Sequence, residues 1–274
     1  MVYRWACDRC EFTVWSGSME SIRRSVEGHL VDHDREALYR DGLRAGWNCP
    51  RCQASGMSHD VDDAVGEFKR HLFEHVEHRL QPRTHVAADL SGTGSVLVLS
   101  PSNSDGADNA RVHFSAPCDV VLLVTTNPAE RLHLLEDRLS EWPRRTIVLT
   151  TNDRPLDGTE ELDLRSVPLE IVKLDAGLGI AGLGETISRV VAEHNDPTVT
   201  LSVSFEVVSD LITKRDLEQV FRFLHLLTAR LERADALSHF YFDPDTTSGP
   251  TVNLLSELFD LRIEADGNRF VRMD

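Results

Sequence analysis

One Cys/His pattern occurs twice in this 274-residue chain, and it constrains the first third of the fold more tightly than any other feature. Cys7, Cys10, His29 and His33 form C-x2-C-x18-H-x3-H, and Cys49, Cys52, His71 and His75 repeat it after a shift of 42 residues. Trp5 and Trp47 obey the same shift, as do Val26 with Phe68 and Leu30 with Leu72. Self-similarity at a fixed period marks a duplicated structural unit.

The spacing has a chemical reason. A structural Zn²⁺ takes four tetrahedral N or S ligands and leaves no position open. Two cysteines separated by two residues sit on one knuckle, and two histidines four apart lie one turn apart on a helix face. Ile22, Val26 and Leu30 recur at helical spacing before the first His pair, as do Val61, Val65, Phe68, Leu72 and Val76 around the second. Phe12 to Trp15 reads as a short strand between the ligand pairs. The sequence therefore predicts two small ββα-like zinc fingers, over residues 1–40 and 41–80, and two Zn²⁺ per chain. Scattered core cysteines and two disulfides are the competing readings. Eight ligand-type residues in register argue against scatter, and the expected absence of a targeting segment ahead of the first finger argues against an oxidising compartment.

Charge is unevenly distributed. The formal net charge is −16, with −2 over residues 1–88 (12 basic, 14 acidic) and −14 over the remainder (17 basic, 31 acidic). Only three of the 29 basic residues are lysines, Lys69, Lys173 and Lys214. An acidic, Lys-poor, Asp-rich chain is the composition expected of a protein working at high intracellular salt, the alternative being an ordinary acidic cytosolic protein. No run of 18 apolar residues occurs, so no membrane span is expected. A cytoplasmic location follows as an expectation. The fifth cysteine, Cys118, opens the apolar run Val120–Val124 and reads as a core thiol.

Residues 81–94, with Pro82, Gly92 and Gly94, read as a linker. From Ser95 onward short β-rich runs alternate with amphipathic stretches, which predicts an α/β domain over 95–274 with a mostly parallel sheet flanked by helices. The expected strands are 95–99, 119–125, 146–150, 169–174, 198–205 and 237–242. Asn127-Pro128-Ala129-Glu130 reads as a helix start with Asn as N-cap and Pro at the first position. A long helix is expected over 216–234. A hairpin is expected around Asp266-Gly267-Asn268.

Such a domain binds ligands at the carboxyl ends of its strands. A phosphate-binding loop there needs G-x-x-x-x-G-K-[ST]. After the first strand this chain instead carries Ser100-Pro-Ser-Asn-Ser-Asp-Gly-Ala-Asp-Asn-Ala110, with one glycine, no lysine and two aspartates that repel a polyphosphate. Gly177-Leu-Gly179-Ile-Ala-Gly182 does fit G-x-G-x-x-G. It lies mid-domain, however, and the strand that follows does not end in an acid for a ribose, so a tight turn with close helix packing is the favoured reading. The histidines of this half (His113, His133, His194, His225, His239) form no Ser/His/Asp or Cys/His set. Neither catalytic nor cofactor-binding residues are assigned, and no enzymatic activity is expected.

Residues 95–274 resemble the RecA/KaiC-like domains of haloarchaeal signal-transduction proteins, in a group with degenerate, ATPase-inactive motifs. Ser95–Ser100 resembles the strand before the phosphate loop, and Val120–Asn127 with Pro128-Ala-Glu-Arg131 the next strand and helix. Thr198–Ser209 resembles the strand that carries the magnesium-binding acid, and Leu217–Arg233 with His239–Pro244 the final core helix and strand. The lysine position is vacant, and Ser202-Val203-Ser204 offers no acid. The resemblance implies a RecA-like scaffold used for regulation or recognition.

Tandem fingers invite a DNA-binding reading. In a C2H2 finger, helix positions −1, 3 and 6 meet bases. Counting back from each first zinc histidine places Ile22, Ser25 and Gly28 there, then Ala64, Glu67 and Arg70. Only Arg70 has the character of a base reader, and the near-neutral charge lacks a nucleic-acid footprint. The expectation is a non-enzymatic regulatory protein whose zinc-stabilised module and inactive RecA-like domain bind a protein partner. A DNA-binding transcriptional regulator is the main alternative, and a nucleotide switch using the Gly177–Gly184 turn a minor one.

Overall fold

The 42-residue repeat reappears as a repeat of elements. The computed structural model describes residues 2–175, 177–246 and 248–273, in two units spanning 1–84 and 85–274. In the first unit, strands β1 (Tyr3–Ala6) and β2 (Thr13–Ser16) lead into helix α1 (Met19–His33) and strand β3 (Leu38–Asp41). Strands β4 (Arg44–Asn48) and β5 (Ser55–Ser58) then lead into helix α2 (Val61–Glu74) and strand β6 (Gln81–Pro82). Ser18 caps α1 by accepting from the Ser21 amide, and Asp60 caps α2 by accepting from Asp62 and Asp63. Ile22, Val26 and Leu30 of α1, with Ala64, Phe68 and Leu72 of α2, are buried at helical spacing as their pattern requires.

The two copies exchange strands. β3, which follows the first helix, pairs with β4 of the second copy, while β6, which follows the second helix, pairs with β1 of the first. The registers are equivalent: Tyr39 opposite Gly46 and Arg40 opposite Ala45 become, after the shift, the observed pairs Gln81–Arg4 and Pro82–Tyr3. α1 packs on α2, the Arg23 guanidinium lies 5.1 Å from the Phe73 ring, and Asp34 accepts from Arg9 at 2.6 Å with Arg51, the repeat equivalent of Arg9, at 3.7 Å. Residues 81–94, expected as a linker, hold β6 and a 3-10 turn at Val86–Leu90 in which Val86 and Ala87 are buried.

The second unit is α/β. Its strands are β7 (Gly94–Leu99), β8 (Val120–Val124), β9 (Arg145–Thr150), β10 (Leu169–Lys173), β11 (Leu201–Phe205), β12 (Leu237–Phe242), β13 (Leu261–Asp266) and β14 (Arg269–Arg272). They lie in the order β10-β9-β8-β11-β12-β7-β13-β14, parallel throughout except for the β13–β14 hairpin. The hairpin turns on Gly267 at φ +51°, the positive φ a tight two-residue turn needs. The helices are α3 (Asp105–Ser115), α4 (Pro128–Arg138), α5 (Ile180–His194), α6 (Val208–Lys214), α7 (Leu217–Arg233) and α8 (Gly249–Ser256). Alternate residues of β8 serve opposite layers: Val121 and Leu123 pack with Leu132 and Leu135 of α4, while Val120, Leu122 and Val124 join a larger core with α5 and α7.

Several local readings change. The aspartate-bearing segment after β7, to which no helix was assigned from sequence, enters α3: Ser104 caps it by accepting from Ala107, and Asp105 and Asp108 occupy its first turn, where they complement the helix dipole. Asn127 stands at the start of α4 without making the capping hydrogen bond; its amide donates to Thr125 Oγ1 instead. Gly184 lets α5 approach α7, since a Cβ there would lie 3.1 Å from the Phe223 ring. Among the described residues, no helix is long and apolar enough to cross a membrane.

Candidate metal centres and the carboxyl edge of the sheet

The eight residues of the duplicated pattern come together as two groups, Cys7-Cys10-His29-His33 and Cys49-Cys52-His71-His75, with the ligand atoms of each within 4.8 Å of one another. Each group could hold a metal ion. In the first, Nε2 of His29 and His33 are 3.1 Å apart, and Cys10 Sγ lies 3.4 and 3.3 Å from them. In the second, the two Nε2 atoms are again 3.1 Å apart, Cys49 Sγ is 3.5 Å from His75 and Cys52 Sγ 3.3 Å from His71. A zinc tetrahedron with its usual bond lengths has edges of about 3.3 Å between nitrogens and about 3.6 Å from nitrogen to sulfur. The donor set and its edges fit that ion.

Hydrogen bonds and rings position the donors. Cys7 Sγ accepts from the Arg9 amide and Cys49 Sγ from the Arg51 amide, each at 3.4 Å, so the knuckle turns the sulfurs inward. His29 stacks on Phe12 at 3.9 Å and His71 on Trp47 at 5.1 Å. Gly56 faces that indole: a Cβ there would come within 2.4 Å of Trp47 Nε1. Burial lowers the pKa of His29 and His75, favouring the neutral imidazole that ligates. Burial also pushes the Cys49 thiol up, a tendency that a divalent cation among these donors reverses.

The sheet's own candidate region is the crevice at the carboxyl ends of the parallel strands. From β8 the chain steps outward through β9 to β10, whereas β11 lies on the other side of β8 and leads to β12, so the order reverses between β8 and β11. Such a reversal opens a crevice between the connections. Part of this edge is occupied by a buried ion cluster. Glu206, directly after β11, accepts from Arg131 Nε at 2.6 Å and lies 3.3 Å from Arg111 Nε; all three side chains are only 5% exposed. Thr125 and Ser204 hydroxyls also donate to this carboxylate, each at 3.3 Å. Arg111 further pairs with Asp108 at 2.7 Å and lies 4.6 Å from the Tyr241 ring. The cavity left beside them is about 130 Å³.

β11 itself (Leu201–Phe205) carries no acid, in line with the expectation, and Glu206 follows it directly. The acid is present one residue beyond the strand end, but both oxygens are committed to arginines. Arg111, Arg131 and Glu206 were not visible as a set because 20 and 75 residues separate them in sequence. Beside them, His239 is wholly buried between Ser202 Oγ at 2.9 Å and the Tyr241 hydroxyl at 2.8 Å. Burial, with the Arg111 charge and His85 adding to it, brings its pKa down to about 3. Cys118 is half-buried, donates to the Phe114 carbonyl, and has its thiol pushed up to about 11 by burial, as suits an inert side chain. Gly177 precedes α5, Gly179 is its N-cap without a side-chain cap, and Gly182 lies in its first turn.

No curated protein matches the chain. Among solved structures it is similar to a structural-project protein from Pyrococcus horikoshii OT3, at 11% identity and TM-score 0.44, covering 64% of this chain and 82% of that one. It is also similar to an uncharacterized Pyrococcus horikoshii protein solved in complex with an unknown peptide, at 9% identity and TM-score 0.43, covering 65% and 81%. Residues 93–265, nearly the whole α/β unit, match the family described as Family of unknown function (DUF7504), and the chain belongs to that family.

Proposed function

We propose that this protein is a non-enzymatic regulator in which a zinc-stabilised interaction module is joined to a RecA-like α/β unit that no longer handles ATP. The observation that carries this reading is the buried Arg111–Glu206–Arg131 cluster. In an ATP-handling relative of this scaffold, a lysine and a magnesium-binding acid would face the phosphates at this edge. Here the acid is neutralised by two guanidinium groups, and a cavity of about 130 Å³ is small beside the 300–1,000 Å³ typical of small-molecule sites. The interior position of β7, parallel to both β12 and β13 and with α3 as the next element, supports the RecA-like reading; the family match itself assigns no activity.

The donor chemistry favours zinc in both centres, with Cys7, Cys10, His29 and His33 holding one ion and Cys49, Cys52, His71 and His75 the other. A protein partner is favoured over DNA because Ile22 and Ala64, at two of the aligned base-reading positions, are fully buried while α1 packs on α2. DNA binding by the fingers remains the second reading, carried by exposed Arg70 and the tandem arrangement. Metal analysis of the purified chain should give two zinc per chain. Affinity purification from the native host should recover a protein partner that is lost in His71→Ala. Discrete genomic sites in chromatin immunoprecipitation that vanish with His71→Ala would replace this proposal with the DNA reading.

A further inference from the structure

The turns that close β8 and β9 carry the same triplet, Thr125-Thr126-Asn127 and Thr150-Thr151-Asn152. Val124 is paired with Leu149, so the triplets sit side by side at the carboxyl edge of adjacent parallel strands. Their local geometry is also the same. Asn127 donates its amide to Thr125 Oγ1, and Asn152 donates its amide to Thr150 Oγ1, each at 3.1 Å. The first threonine of each triplet is thereby buried and used in the turn, while Thr126 and Thr151 are left exposed.

Both exposed threonines line a cavity of about 350 Å³ at the sheet's order reversal. Its walls are apolar: Leu149 and Leu174 from the sheet side, Leu183 from α5 and Leu211 from α6. Its mouth is cationic. Lys214 pairs with Asp210 at 3.4 Å, but no ion pair engages Arg215 among the described residues, so the three charged groups lining the cavity leave one excess positive charge. In a chain of formal net charge −16 with three lysines, a cationic mouth over a leucine-walled cavity is an unusual concentration. Ligand sites combine this kind of apolar wall with a few convergent polar groups.

We infer that the cavity between the two Thr-Thr-Asn turns, α5 and α6 binds a small molecule with an apolar body and one anionic head. The leucine walls receive the body. Thr126 and Thr151 donate hydrogen bonds to the head, and Arg215 with Lys214 supplies its counter-charge. The site lies beside the Arg111–Glu206–Arg131 cluster and does not depend on it, since that cluster occupies the neighbouring crevice.

The test uses the full chain and 8-anilinonaphthalene-1-sulfonate as the probe, an aromatic body with one sulfonate. Saturable one-site binding by fluorescence is expected, weakened about tenfold by Arg215→Glu, which reverses the exposed charge, and by Thr126→Trp, which fills the mouth. Octanoate and octyl phosphate should both displace the probe, the stronger one identifying the head as carboxylate or phosphate. Octanol should need about tenfold more. Absence of saturable binding, wild-type affinity in both variants, or equal displacement by octanol would overturn the assignment. Both substitutions are at exposed positions, so an unchanged unfolding midpoint separates loss of binding from loss of fold.

Discussion

Glu206→Gln keeps the volume of the side chain and removes its charge, and the surroundings set the cost. Two guanidinium groups, each 5% exposed, face a carboxylate that is itself 5% exposed, with Arg131 Nε at 2.6 Å. Removing one partner of a buried pair leaves an uncompensated charge, which costs about 3–5 kcal/mol. Asp108 offsets part of this, since it stays paired with Arg111 at 2.7 Å and lies 3.5 Å from Arg131. The expected loss is therefore near the lower end, about 3 kcal/mol. With a urea slope of about 2–3 kcal/mol/M, the midpoint of the second unit should fall by about 1–1.5 M. The readout must separate the units. ¹⁹F NMR of 5-fluorotryptophan-labelled protein does so, because Trp142 is the single tryptophan beyond residue 84, whereas Trp5, Trp15 and Trp47 lie before it. The combined Arg131→Met/Glu206→Gln variant should recover part of the loss, since the unpaired charge goes with the arginine. A Glu206→Gln cost below about 1 kcal/mol, the size of an exposed pair, would refute the claim that this cluster is a buried and committed ion network.

Three further outcomes follow from the geometry. His239 is held neutral with its pKa down to about 3, against about 6.5 when unfolded, so between those values the unfolded chain binds more protons and stability rises with pH. As pH falls below about 6.5, this residue should remove up to about 1.4 kcal/mol per pH unit, and His239→Gln should flatten that slope in acid-unfolding titrations. Gly106→Ala should destabilise the second unit by about 1–3 kcal/mol in urea melts, because the added Cβ would stand 2.2 Å from the Ala265 carbonyl oxygen on backbone that cannot swing away. If the two centres hold zinc as proposed, His75→Ala should release more than its own ion: with β6 following α2 and pairing with β1, amide exchange at β1 should accelerate and zinc content should drop below one per chain.

The two Cys/His groups were legible in the sequence because metal chemistry fixes both the type and the spacing of such residues. The α/β layering was legible for a related reason: Val120–Val124 is an apolar run of the length that a doubly covered parallel strand needs, and β-rich runs of similar length recur between amphipathic stretches. Elements whose signals conflict were not. Ser100–Ala110 is rich in Ser, Asp and Asn, so no helix was expected there, yet Asp105 and Asp108 suit the first turn of α3 and Ser104 caps it. The Arg111–Glu206–Arg131 cluster and the paired Thr-Thr-Asn turns depend on which strands become neighbours, and β8 and β11 stand 81 residues apart at their paired ends, Val120 and Leu201. No local pattern carries that information.

The reciprocal pairing of β3 with β4 and β6 with β1 also bears on cutting the chain. The β3–β4 connection is the turn around Gly42, at φ +60°, and Leu43, which is 93% exposed. A protease nick there would leave residues 1–42 carrying one complete Cys/His set and the remainder carrying the other. Each fragment would still hold a strand whose ladder partner lies on the opposite fragment, and the paired helices α1 and α2 would still share a core. The break would therefore divide the backbone without dividing the module. On this pairing the repeat would act as two complementary halves that stay associated after the link at residue 42 is cut.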